Sequence, residues 1–305
     1  MDTATILTQA TNQINQMIGH RFDVLDISKP ISTAAALNLL KIISKLSPLI
    51  GNLIEFNIVE MLNKHNQFSN LGSWIRQDPG FPDAIFQSGI TPSPGFEIKA
   101  WFPLSTEITA RFKDSATHFQ AQNIYMILIA WVPEYLVYGK PKILDIAIIE
   151  GGSIARSRDL HYHNPPDYLL LEPNDTTHRS RNLQQTTVNG YKWQGTSEEF
   201  QAAAEIVETW GQEGLEYNSS PIIQQQYRQL INRYPYRLDT NFAKIDRIRH
   251  PEIETFKRQI YQTQLHGLTI QAWSRLFTTN MADQIRTVFQ QQLNLKEDAA
   301  TSVLE

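Results

Sequence analysis

The chain has no cysteine in its 305 residues, which excludes disulfides and thiolate metal sites and fits a reducing compartment. Excess charge is also scarce. With 27 basic against 31 acidic side chains the net charge is −4, so the protein does not coat nucleic acid through bulk positive charge. A local cationic cleft is still allowed, because binding depends on where the charges lie. Long apolar runs are missing too: IYMILIAWV at 124–132 is the longest, and it is too short to cross a bilayer as a helix. The opening MDTATILTQATNQINQ is polar where a signal peptide is apolar, so a cytoplasmic protein without a membrane is expected. There is no Gly-rich phosphate loop, since GGSIAR at 151–156 lacks the spacing, and no Gly-x-Ser-x-Gly elbow.

What is present reads as an ordinary globular chain, 41% apolar and 19% charged, long enough to bury a sizeable core. Residues 3–18 and 33–65 carry helical periodicity, with a break expected at Pro48. In the second piece Ile50, Leu53, Ile54, Ile58 and Met61 form one buried stripe, with Glu55 and Glu60 on its opposite flanks. The turn-rich NLGSWIRQDPGFP at 70–82 then closes the helical section. Strands are expected in PDAIFQ, FEIKAWF, NIYMILIAWV and KILDIAII. TSEEFQAAAEIVETWG opens with a capping box at Thr196 and Glu199, and NMADQIRTVFQQQL is a further helix. The expectation is one α/β domain over 1–305: a helical segment at 1–70, a mixed sheet at 71–150, and a largely helical segment at 151–305.

The chemistry concentrates in FPDAIFQSGITPSPGFEIKAWF, residues 81–102. Alternation along the second strand puts Phe96, Ile98, Ala100 and Phe102 on one face and Glu97, Lys99 and Trp101 on the other. If PDAIFQ pairs with it as an antiparallel neighbour, Asp83 and Glu97 approach within the span of one cation. Mg²⁺ prefers hard oxygen ligands and typically uses one or two carboxylates. A lysine beside such an ion orients or deprotonates water, or stabilises charge building on phosphate. Glu97-Ile98-Lys99 is the one acid-x-Lys of the sequence, and of the two Pro-Asp pairs only Pro82-Asp83 precedes it closely.

Pro82-Asp83 followed by Glu97-Ile98-Lys99 resembles the signature of the PD-(D/E)xK nuclease superfamily, which includes most type II restriction endonucleases. The resemblance covers about residues 50–150. It implies a restriction-endonuclease-like mixed β-sheet core flanked by helices, with the C-terminal helices as additions. It also implies that Asp83 and Glu97 are Mg²⁺ ligands and that Lys99 positions water. An accessory acid from the upstream helix is implied as well; Glu55 stands at that place, with Glu60 as its rival. The implied activity is site-specific hydrolysis of double-stranded DNA to 5′-phosphate ends. A palindromic target would call for a homodimer, and a cognate DNA methyltransferase would be the functional companion.

Base reading is expected from 169–195, where Arg179, Arg181, Asn182, Gln184, Gln185, Asn189 and Lys192 gather with few acids. Arg pairs bidentately with guanine, and Asn or Gln with adenine. Residues 226–260, with eight basic side chains against four acidic, are a second candidate surface. His161 and His163 form a His-x-His without a nearby acid to complete a metal set. The residues leave three other readings open: a repair or recombination nuclease of the same superfamily, a non-catalytic DNA-binding protein, and a sugar hydrolase using Asp83 and Glu97 as acid and base. Trp101 shares the face of Glu97 and Lys99, where either lining the cleft or packing accounts for it.

Overall fold

The structure is a computed structural model that describes residues 2–23, 25–78, 80–108, 119, 123–162, 191–193, 196–211, 221–238, 245, 248–278 and 282–295. Its contacts gather into two compact units. One holds residues 1–108, 118–153 and 250–305, and the other 109–117 and 154–249.

The first unit is built on a five-stranded mixed sheet, β1 (Gly72–Arg76), β2 (Ala84–Ser88), β3 (Gly95–Trp101), β4 (Ile124–Pro133) and β5 (Pro141–Glu150), adjacent in that order. All neighbours are antiparallel except β3 and β4, which run parallel. The continuous apolar run of β4 is buried from Met126 to Val132, as its pattern required. β1 corrects the expectation of a turn-rich stretch at 70–82. Trp74 is 3% exposed and stacks on Phe96 at 5.2 Å, while Asn63 bonds both its N–H and its C=O. Pairing with β2 and that side-chain clamp outweigh the turn formers on either side.

Helix α1 (Thr3–Asn15) starts at Asp2, whose carboxylate accepts from the Thr5 amide. Helix α2 (Thr33–Lys64) is capped by Ser32 and runs unbroken through Pro48. A proline inside a helix removes one backbone bond and costs about 3 kcal/mol. Pro48 lies on the exposed side, however, and Ile43, Ile50, Ile54 and Ile58 are fully buried on either side of it. Burial therefore carries the helix past the break predicted from sequence. By length and composition α2 is apolar enough to span a membrane. In this fold its second half packs against β1 and β3 and contributes to the core. α2 thus lays Glu55 over the strand that bears Glu97 and Lys99.

Among the described residues the first unit also holds helices at Pro251–Gln262, Ile270–Thr278 and Ala282–Leu293. The second unit contains most of a helix that begins at Gly151 and ends at Tyr162, a short ladder of Tyr191–Trp193 with Tyr236–Leu238, and helices Ser197–Glu208 and Pro221–Arg233. The expected capping box at Thr196 and Glu199 is present. Ala203, Val207 and Leu230 form a buried cluster in this unit, with Phe200, Trp210 and Tyr234 packed around them.

Candidate active site

Asp83 stands immediately before β2, and its backbone oxygen accepts from the Gln77 amide at 2.8 Å. In the β2–β3 ladder Ala84 faces Phe96 and Ile85 faces Gly95. One step further along the same register brings Asp83 beside Glu97. Gly95 permits the approach, since a Cβ there would lie 2.6 Å from Pro82 Cγ and 3.2 Å from the Ala84 carbonyl oxygen. The Ile98 amide donates to Asp83 Oδ2 at 2.7 Å, so the strand backbone itself orients the carboxylate.

Lys99 Nζ lies 3.0 Å from Asp83 Oδ2 and 2.7 Å from Glu97 Oε1. Two contacts on one nitrogen bound the oxygen–oxygen separation at under about 6 Å, within reach of a shared charge. The expected convergence of two acids and an amine is therefore met. Glu97 is 6% exposed, and burial pushes its carboxyl up to about 7, with Lys99 opposing and Asp83 adding to the rise. Burial works against the charge of Lys99, but Glu97 and Asp83 outweigh it and hold the ammonium above the usual lysine range. Glu97 Oε2 is buried with no hydrogen-bond partner among the described residues.

Glu55 and Glu60 separate clearly. Glu60 is exposed, while Glu55 is 9% exposed on the face that packs over β3. Gly51, one turn before Glu55, lies against β3: a Cβ there would sit in ordinary van der Waals contact with Ala100 Cβ at 3.5 Å. Burial raises the Glu55 carboxyl, the charge of Asp83 adds to it, and Arg76 and then Lys99 oppose. Glu55 thus belongs to the same electrostatic group as Asp83 and Lys99. Arg76 is the residue that sequence reading missed. It ends β1 and donates from Nε to Glu55 Oε1 at 2.6 Å. The available signal was a lone basic residue following Trp74 and Ile75, in a stretch read as turn.

Trp101 packs. It is 1% exposed, sets its ring edge-on to Tyr261 at 5.6 Å and donates from Nε1 to the Thr106 carbonyl oxygen. Arg179, Arg181, Asn182, Gln184, Gln185, Asn189 and His163 lie outside the described residues. For Lys192 and His161 the backbone alone is described, in a strand and a helix respectively.

Among the described residues no three His, Asp or Glu side chains stand as a preformed metal cage. The group still suits a hard divalent cation, because Mg²⁺ needs only one or two carboxylates and keeps several waters. Asp83 and Glu97 would supply those two carboxylates, and Glu97 Oε2 is a buried acceptor with no donor among the described residues. The residues present fit the ion. No family model matches this chain, nor does any curated protein or solved structure at the level of a significant match. What stands is a mixed α/β fold whose five-stranded sheet is flanked by helices.

Proposed function

We propose that this chain is a Mg²⁺-dependent endonuclease of the PD-(D/E)xK type, with a restriction-endonuclease-like core, that hydrolyses phosphodiester bonds of double-stranded DNA at specific sites. One observation carries the reading: Asp83 and Glu97 converge on Lys99, with one buried oxygen of Glu97 lacking a hydrogen-bond partner among the described residues.

Asp83 and Glu97 would hold the ion, with Glu55 as the accessory acid. Bound Mg²⁺ would supply Lewis-acid stabilisation of charge on the phosphate and its leaving oxygen. Lys99, kept as an ammonium by its two carboxylate neighbours, donates hydrogen bonds to the attacking water or to a phosphoryl oxygen and offsets charge as it develops. The Ile98 amide holds Asp83 so that its carboxylate need not reorganise. Hydrolysis leaves a 5′-phosphate and a 3′-hydroxyl. Arg179, Arg181, Asn182, Gln184, Gln185, Asn189 and Lys192 are the proposed DNA contacts. A homodimer would cut both strands of a palindrome, and a cognate methyltransferase would protect host DNA.

The test is digestion of a large plasmid with Mg²⁺, with and without chelator, by wild type and Lys99→Ala. Discrete bands that vanish with chelator and with the substitution are expected. Preference for branched or nicked DNA without discrete bands would move the reading to a repair nuclease. Chelator-insensitive activity, or activity unchanged in Lys99→Ala, would overturn it.

A further inference from the structure

Arg76 ends β1 opposite Ala84, the residue that follows Asp83. Its Nε holds Glu55 Oε1 at 2.6 Å, and a terminal nitrogen reaches Asp78 at 2.9 Å. Asp78 is 60% exposed, so water screens it, whereas the Glu55 side chain is only 12% exposed. Around the site, then, three enclosed acids (Glu55, Asp83 and Glu97) face two bases, Arg76 and Lys99. A buried carboxylate beside another carboxylate needs a counter-charge to stay ionised. Arg76 is that counter-charge, and it sits where it also repels any cation approaching Glu55.

We propose that Arg76 is a positioning residue that occupies Glu55 in the free protein and yields that carboxylate when a divalent cation enters, so that Arg76 sets the cation affinity of the site. The inference rests on the metal-dependent reading above. With all five groups ionised their charges sum to −1; without Arg76 the remaining four sum to −2 once a bound cation keeps the three acids ionised, and a divalent cation matches that charge. Loss of the guanidinium therefore tightens cation binding, contrary to what the loss of a merely structural arginine would do. The guanidinium fork also spans Glu55 and Asp78 at once, which a lysine amine cannot do in the same planar geometry.

The experiment is a titration of the full chain with Mn²⁺ alone, with free ion followed by electron paramagnetic resonance and folding checked by circular dichroism. Arg76→Gln is expected to bind Mn²⁺ about fivefold more tightly than wild type, the scale of a partly exposed charge pair. In a Glu55→Gln background the same substitution is expected to have no effect, because the competition it relieves is gone. Asp83→Asn is expected to abolish binding. Equal or weaker binding by Arg76→Gln, with Asp83→Asn abolishing it, overturns the role of Arg76 and leaves the nuclease reading intact. Absence of binding by wild type, or full binding by Asp83→Asn, overturns both. If Arg76→Gln does not fold, Arg76→Lys decides: about twofold tighter binding is expected, and equal or weaker binding overturns the proposal.

Discussion

The backbone amide of Ile98 donates to the side chain of Asp83 at 2.7 Å, across two strands that pair in the antiparallel sense. The residue between Glu97 and Lys99 thus fixes the third member of the group. The acids and the amine are held by the sheet itself rather than by a loop, and strand-borne sites are the more rigid kind.

Lys99 offsets two carboxylates that otherwise face each other largely out of water, their side chains 16% and 7% exposed. Replacing it with Met is expected to cost about 3 kcal/mol of stability, because breaking an enclosed pair leaves uncompensated charge. Urea denaturation at neutral pH measures this. Some of the loss should return when Mg²⁺ is added. A Met variant as stable as wild type would show that the network carries no such strain.

Glu55 and Glu60 sit five residues apart on α2 and on different faces. Glu55→Gln is expected to weaken divalent cation binding by about tenfold or more, the scale of losses around metal sites. Glu60→Gln should bind as wild type does. Isothermal titration with Mg²⁺ separates the two, and equal behaviour would remove Glu55 from the site.

At Gly95 the backbone of β3 runs close against Pro82, leaving no room for a Cβ. An alanine there must push the Pro82–Asp83 segment outward, at a cost of about 1–3 kcal/mol. Thermal unfolding of Gly95→Ala should show the lower midpoint, and its Mn²⁺ affinity should fall with it. Unchanged affinity would mean that Asp83 is positioned independently of this contact.

His250 gives a pH dependence away from the site. Ser153 Oγ donates to the Glu150 carbonyl oxygen at 2.8 Å, so its remaining contact, 3.1 Å from His250 Nε2, is one in which the histidine donates. His250 Nδ1 is left buried without a partner among the described residues. Burial holds the imidazole below its ordinary value of 6.5, with Glu252 and Glu150 opposing. Its folded form therefore prefers to be neutral. The resulting stability is fully present above pH 6.5 and is lost as pH falls through the depressed folded value. His250→Asn, which keeps a good helix-capping residue, should flatten that acid limb. The check is the thermal midpoint followed from pH 7.5 down to 5 (roughly the range in which histidines titrate); an unaltered slope in the variant would acquit His250.

Much of the candidate site was legible in the sequence because its periodicity is local. A two-residue alternation puts Glu97 and Lys99 on one face of β3 wherever that strand lies. The same holds for the unbroken apolar run of β4 and the capping box at Thr196 and Glu199, since each is decided by neighbours within a few positions. Tertiary structure decided the rest. β1 forms because Trp74 finds Phe96 and Asn63, and α2 passes Pro48 because the isoleucines around it are buried. Glu55 rather than Glu60 joins the group because α2 lies over β3 with that face inward. Arg76, 21 residues from Glu55, becomes its partner only once β1 lies beneath the helix. Contacts between residues far apart in the chain depend on how whole elements pack, and no local pattern encodes that.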